Sequence, residues 1–553
     1  MVALRHALIG RDLRSWLNPW KLATISLVFV FLSPIAAIVV AASGDSGGLW
    51  VHLSQTVLPR YVANTLGLMF GVGSLSLLFG ISTAWMVVRY DFPGRRVLQW
   101  ILLLPAAMPG YLIAYTYTDF LEYAGPVQAL LRDIFGWQSS RDYWFPEIRS
   151  MGGAILVLGA VLYPYVYIMA PTAYLVTPVS LFEVGRIAGR SLFWGVALPL
   201  ARPAIVAGLA LVLMETLSDF GTVEYFAIET LTLGIFNVWL GMNSLTAAAQ
   251  IASFSFLFVI ALLTLEVLSR ARRRFVDTTR RSVSLSPDRV NGMRAFVCIA
   301  VCLTPVVIGF VVPVAVLLNF VLQGYSVALD TAVLEAAGNS IFIGLVVAAL
   351  VIGTAALIGL VSTFDKGIWL PRFSALASFG YAFPGTILAI GVITAGGAVD
   401  SGLAAFLDWV LGISYEGWLT SGVGLIVFAC VVRFQAVGYG AVVTGLGRVS
   451  PSMMEASRML GCGFATSIWR VMLPSIRLSC IAGALLVFVD VMKELPMSLL
   501  LRPFNYETLA TFVYQFAKDE LLEEAALPAL VIVVTGIIPV ILMNAVLNRI
   551  SDR

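Results

Sequence analysis

The chain has 553 residues, 60% of them hydrophobic and only 12% charged, and its mean hydropathy is +0.94. That is more apolar side chain than one water-exposed core could bury, which excludes an ordinary soluble enzyme and places the chain in lipid. The formal net charge of +3 says little alone, because in a membrane chain the distribution of Lys and Arg among the loops carries the information.

The first residues carry Arg5, Arg11, Arg14 and Lys21 ahead of an apolar run from Leu22 to Ala42. That run is too long for the core of a signal peptide, so it reads as a retained first span. Eleven more apolar stretches of spanning length follow, so the sequence predicts an all-α polytopic membrane protein with about twelve transmembrane helices. They lie near 22–43, 63–88, 98–119, 152–174, 203–223 and 249–268, then near 295–321, 338–362, 373–395, 420–444, 477–500 and 527–548. Residues 269–294 hold eight arginines against Asp277 and Asp288, and read as a solvated cytoplasmic linker beside anionic headgroups, with no nucleic-acid role. The predicted organisation is a first six-span repeat at 1–268, this linker at 269–294, and a second six-span repeat at 295–553. Arg and Lys also cluster after spans two, four, eight and ten, whereas the stretches 224–249, 323–337 and 396–419 contain neither. The positive-inside rule therefore puts both termini and the linker in the cytoplasm, and makes the two repeats parallel.

Five cysteines, Cys298, Cys302, Cys430, Cys462 and Cys480, lie in or beside apolar runs without metal-ligand spacing, and His6 and His52 form no cluster. Neither a disulfide framework nor a metal site is expected.

The two halves match each other at a fixed distance. An offset of 275 carries Pro199 onto Pro474, Glu215 onto Asp490, Asp219 onto Glu494, Asn64 onto Asn339, and Pro109-Gly110 onto Pro384-Gly385. A recurring self-match of this kind marks a duplicated unit. Each Pro-Gly pair should kink or interrupt its helix, which lipid tolerates only where the freed backbone groups find other partners.

Ahead of each Leu-Pro lies a second duplicated segment, Ser180-Leu-Phe-Glu183-Val-Gly-Arg186-Ile-Ala-Gly189 and Ser452-Met-Met-Glu455-Ala-Ser-Arg458-Met-Leu-Gly461. Ser-x-x-Glu reads as a capping box opening a short cytoplasmic helix that stops by the Leu-Pro before the next span. Capping alone does not explain why Glu, Arg three residues on and Gly six residues on recur together. Glu-Ala-Ser-Arg-Met-Leu-Gly followed by Val471-Met-Leu-Pro474 resembles the EAA loop of ATP-binding-cassette importer permeases. The resemblance implies a type I importer fold in the bacterial inner membrane, with both loops acting as coupling helices in clefts of two cytoplasmic ATPase subunits. Carried over residue by residue, the coupling set is Glu183, Arg186, Gly189, Glu455, Arg458 and Gly461. The first copy departs from the pattern, with Val184-Gly185 where two small residues are usual and a shorter loop. Two loops in one chain resemble the fused permeases for ferric iron, thiamine and some phosphonates. Leu198–Ile205 running into Leu213–Phe226 is most similar to the ferric-iron group. That resemblance also implies a periplasmic substrate-binding protein as partner.

Glu215 and Asp219 are four apart, and so are Asp490 and Glu494, which places each pair on one helix face. A charge at the bilayer centre costs roughly 2.5 to 3.5 kcal/mol, so these groups should face protein or water, with Lys493 and Arg433 as counter-charges. Two roles remain open: an ion-pair network that fixes helix packing, or oxygen donors along a path for a hard cation. With no phosphate-binding loop, catalytic triad or metal cluster, no catalysis and no cofactor are expected of this chain. The rivals from other classes are a proton-coupled secondary transporter and a structural scaffold.

Overall fold

A computed structural model describes residues 19–176, 179–271, 287–324, 331–365, 367–412, 417, 420, 422–447, 449–521 and 523–551. Most of the Arg-rich linker, and the Arg5, Arg11 and Arg14 cluster, lie outside the described residues. The main helices are α1 (Pro19–Ala42), α2 (Leu58–Arg89), α3 (Gly110–Leu121), α4 (Pro126–Phe135), α5 (Met151–Val176), α6 (Val179–Ile187), α7 (Leu198–Ser218) and α8 (Leu245–Ala271). They continue as α9 (Met293–Val306), α10 (Val312–Gln323), α11 (Thr331–Phe364), α12 (Gly385–Leu411), α13 (Gly424–Leu446), α14 (Pro451–Met459), α15 (Leu473–Met492), α16 (Leu509–Lys518) and α17 (Ala526–Ser551). The one exception to an all-helical chain among the described residues is a two-residue parallel bridge of Tyr90–Asp91 with Asp288–Arg289.

Ten described helical segments are long and apolar enough to cross a bilayer. The predicted third span is instead a pair, Arg95–Ala107 and Gly110–Phe135, bent by 92°. With α17 at the predicted twelfth position, every expected span has a helical counterpart. The chief differences are at the ends: α2 and α11 begin several residues before the apolar run does, and at the predicted ninth span the helix α12 starts only at Gly385 and runs on to Leu411, well past 395.

The helices pack as two compact units that do not coincide with the sequence halves. One comprises residues 1–44 and 335–508, so that α1 leaves its own repeat and lies against α12 of the other. Gly391 of α12 has no room for a side chain against the Pro34 carbonyl, and the Lys21 ammonium sits 2.6 Å from the Asp365 carboxylate after α11. The other unit comprises residues 45–334 and 509–553. Here the first span of the second repeat, α9–α10, packs on α2 and α3, and α17 packs on α10. Gly309 meets the Ala160 carbonyl of α5, and Arg89 pairs with Asp288 at the bridge. Lipid tails provide no hydrophobic drive between helices, so close backbone approach at small residues decides such pairings.

Three spans contain a π-helical turn directly before a proline. Leu198, Val312 and Leu473, each followed by Pro, donate their N–H to the carbonyl five residues back, of Phe193, Val307 and Ile468. The wider turn accommodates a ring that would clash in a straight helix. Leu198-Pro199 and Leu473-Pro474 therefore lie inside the next helical run and do not separate it from the loop, a difference from the expectation above.

Candidate functional site

Two constructions recur, one at each end of the spans. At the end that the sequence assigns to the cytoplasm stand α6 and α14. Each begins one residue before its serine, at Val179 and Pro451, so Ser180 and Ser452 are not the N-caps that a capping box requires. Proline at the first helical position supplies the start of α14 instead, because its ring fixes φ and its missing N–H would have been unpaired anyway. The other end follows from the sequence more directly. Gly189 (φ 64°) and Gly461 (φ 82°) are in the left-handed conformation, and the N–H of the next residue returns to the carbonyl five back, Arg190 to Gly185 at 2.9 Å and Cys462 to Ser457 at 3.1 Å. Both glycines are thus helix stops of Schellman type, which an L side chain would strain.

Glu183 and Arg186 are exposed on α6, while the side chains of Glu455 and Arg458 lie outside the described residues. Three further matches extend the pattern beyond the predicted residues. Phe182 and Met454, 272 apart, are both buried, Met454 in a core with Leu360 of α11, Val442 and Leu446 of α13, and Ile468, Met472 and Ile476 leading into and along α15. Ile187 and Met459, also 272 apart, are 87% and 89% exposed. Trp194 and Trp469, 275 apart, are 70% and 72% exposed. Ser457 and Ser467 bond at 2.8 Å and brace α14 against the turn that follows it. Each short helix thus has one buried inner residue, Phe182 or Met454, the latter packed among the spans, and an outer apolar tip, Ile187 or Met459, that the described residues leave almost bare. Self-comparison of the sequence at 272 and 275 would have found these pairs, but not that one is buried and the other bare.

The second construction brings the helix breaks and the acids together. Pro109 and Pro384 adopt the same extended conformation after a 3-10 turn, and α3 and α12 start at the glycine that follows. A side chain on Gly110 would stand 2.9 Å from Thr222 Oγ1 and 3.4 Å from Asp219 Oδ2. One on Gly385 would stand 2.5 Å from Arg433 Nη1 and 3.0 Å from Glu494 Oε1. The two acids do equivalent work. Asp219 ends α7, accepts from Thr222 Oγ1 at 3.0 Å and from the Val223 N–H at 3.1 Å, and so opens the short helix Gly221–Tyr225. Glu494 follows α15, accepts from the Met497 N–H at 3.3 Å at the start of Pro496–Leu501, and faces the Arg433 guanidinium at 3.6 Å. Their neighbours differ: Asp490 pairs with Lys493 at 2.9 Å, whereas Glu215, half-buried on α7, has no basic residue at the position of Lys493, where Ser218 stands. The duplicated asparagines complete the frame. Asn64 Nδ2 donates to the Glu229 carbonyl at 3.0 Å and Asn339 Nδ2 to the Glu507 carbonyl at 2.9 Å, tying the segment that follows each acid-bearing helix, α7 or α15, to the head of α2 or α11. Around the first break, Tyr163 and Tyr167 of α5 donate to the carbonyls of Leu102 and Gln99, which the interrupted helix leaves open.

Comparison with known proteins bears on this duplicated frame. Residues 355–553 match the family described as the binding-protein-dependent transport system inner membrane component. The Fe(3+)-transport system permease protein FbpB 2 of Haemophilus influenzae is 23% identical over 505 residues, covering 88% of this chain and 90% of its own length. The molybdenum transport system permease protein ModB of Escherichia coli is 27% identical over 229 residues, 40% of this chain and 94% of its own. A probable sulfate transport system permease protein, cysT of Chlorokybus atmophyticus, is 27% identical over 223 residues, 39% of this chain and 72% of its own. The molybdenum and sulfate relatives thus match less than half of this chain, and the iron relative matches nearly all of it.

Proposed function

A chain whose second repeat is a binding-protein-dependent transport inner membrane component is the permease subunit of an ATP-binding-cassette importer, and on that premise we propose that it forms a complete translocation unit for ferric iron in one polypeptide. The observation that carries the reading is the pair α6 and α14, two levers of the same build joined by one chain. Each buries one residue, Phe182 or Met454, the latter among the spans, and offers an apolar tip, Ile187 or Met459, to a partner. Two cytoplasmic ATPases occupy these tips, with Glu183, Arg186, Glu455 and Arg458 as the polar contacts and Gly189 and Gly461 as the stops that shape them. ATP binding and hydrolysis on those subunits moves the levers, and the buried residues pass the motion into the spans. Both termini lie on the ATPase side, and a periplasmic binding protein delivers the substrate at the opposite face.

Support for iron comes from the similarity to the Fe(3+) permease along both repeats. Asp219 and Glu494 serve chiefly to hold the broken spans in register, since each closes the start of the helix that follows it. The test is reconstitution in liposomes with an ATPase pair and binding protein encoded beside this chain, measuring uptake of radioactive ferric iron, sulfate, molybdate and 2-aminoethylphosphonate. ATP-dependent iron uptake, lost in Glu183→Ala together with Glu455→Ala, is the expected result. Uptake of an oxyanion alone would replace the substrate, and uptake that continues without ATP but collapses with the proton gradient would replace the class.

A further inference from the structure

Helix α4 leaves most of its apolar face bare. Its apolar residues Val127, Leu130, Leu131, Ile134 and Phe135 follow the i, i+3, i+4, i+7, i+8 pattern of one helix face. Leu130, Ile134 and Phe135 of that face are 60%, 65% and 61% exposed and Val127 and Leu131 are half-buried, while Gln128, at the edge of the face next to Phe135, is buried. The edge that carries Gln128 and Arg132 is the one fastened to the protein. Gln128 Nε2 donates to the Leu121 carbonyl at 2.7 Å, and Tyr143 Oη donates to Gln128 Oε1 at 2.6 Å. The Arg132 guanidinium donates to the Tyr123 carbonyl at 2.7 Å and lies over the Tyr123 ring, 4.1 Å from its centroid.

We propose that α4 is a membrane-interface anchor, its apolar face sunk at the boundary between headgroups and acyl chains of the outer leaflet. Four observations select lipid as the occupant. Only residues 122–125 separate α4 from α3, the outer arm of the broken span, and α5, a full span, begins at Met151. The knot that holds α4 also contains Ile148 and Arg149, the last residues but one before α5, so α4 lies at the level where a spanning helix enters the bilayer. Ten residues give a helix of about 15 Å, half of what crossing requires, so α4 at the end of the arm Gly110–Phe135 does not cross by itself. Finally, Phe135, Trp137 and Tyr143 stack in sequence at centroid distances of 4.7 and 4.6 Å, with Trp144 almost fully exposed beside them. Stacked and exposed rings of this type collect at the headgroup level. A water-facing role would reverse the helix, with Gln128 and Arg132 outward. The face is the outer one because α6, the coupling lever, lies beyond the far end of α5, a helix of about 39 Å.

The test places a photoreactive benzoylphenylalanine at Leu130, Ile134 or Asp133 of the full chain in phospholipid nanodiscs, with and without the binding protein, and identifies the adduct by mass spectrometry. Phospholipid adducts at 130 and 134, weaker at 133 and unchanged by the binding protein, are expected. An adduct at 130 and 134 to the binding protein or to a second copy of this chain overturns the proposal. So does the absence of any lipid adduct at both positions in protein that elutes as a folded particle. Neither overturning result bears on the identity of the transported substrate.

Discussion

Removing one charge of the Arg433 and Glu494 pair separates a structural from a transport role. The two side chains are only 6% and 7% exposed, with Nη1 and Oε1 3.6 Å apart. At an effective dielectric of about 20 their attraction is about 5 kcal/mol. Desolvation of both ions offsets most of that gain, so the pair adds little net stability while intact, but removing one partner strands the other and costs about 3 to 5 kcal/mol. Glu494→Gln is the informative change, because an amide oxygen still accepts from the Met497 N–H and only the charge is lost. Expected in denaturant unfolding of nanodisc-embedded protein is a loss of that size for Glu494→Gln or Arg433→Met alone, and recovery to within about 1 kcal/mol in the double variant. The double variant should also transport. If Glu494→Gln unfolds within about 0.5 kcal/mol of the parent, the buried-pair reasoning is wrong. If the double variant is stable yet does not transport, Glu494 belongs to the path.

Gly461→Ala forces a side chain into φ 82° and should cost about 1 to 2 kcal/mol at the end of α14, read as reduced ATPase stimulation by the permease; the Cβ itself meets no atom, so Gly461→Asn should retain more. Met454→Ala empties a packed site and should cost about 2 to 5 kcal/mol, and it should weaken transport per ATP hydrolysed more than ATPase binding, because the lever loses its seat but keeps its tip. The Asp142 carboxylate, exposed in the loop after α4, accepts the backbone N–H groups of Ser139 and Gln138, each at 2.8 Å, which hold its pKa below the ordinary carboxylate value. A depressed folded value means that the loop is ordered above the unfolded pKa of about 3.9 and loosens as pH falls through the folded one. Proteolysis between 136 and 150 should rise in acid for the parent, and be high and less pH-dependent for Asp142→Asn.

Much of this protein could be read from its residues in order, because the relevant forces are short-ranged or imposed by the solvent. Apolar length set the spans, as a hydrocarbon slab demands, and proline and glycine chemistry set the breaks at Pro109 and Pro384, whereas the short helices stop at Gly189 and Gly461 and not at the Leu-Pro expected. The offset of 275 foretold that Asn64 and Asn339, or Asp219 and Glu494, do the same work, though not what the work is. Tertiary structure alone decided the rest. It moved α1 and α9–α10 onto the opposite repeat, since helices in lipid choose partners by backbone fit, as at Gly391 and Gly309, and such a fit leaves no hydrophobic pattern in the sequence. It set Asp219 and Glu494 beside Gly110 and Gly385, more than a hundred positions away, while the bonds that make them helix openers reach only three or four residues along the chain. And it turned the apolar face of α4 outward, because periodicity shows that a face exists while only the surroundings show whether protein or bilayer covers it.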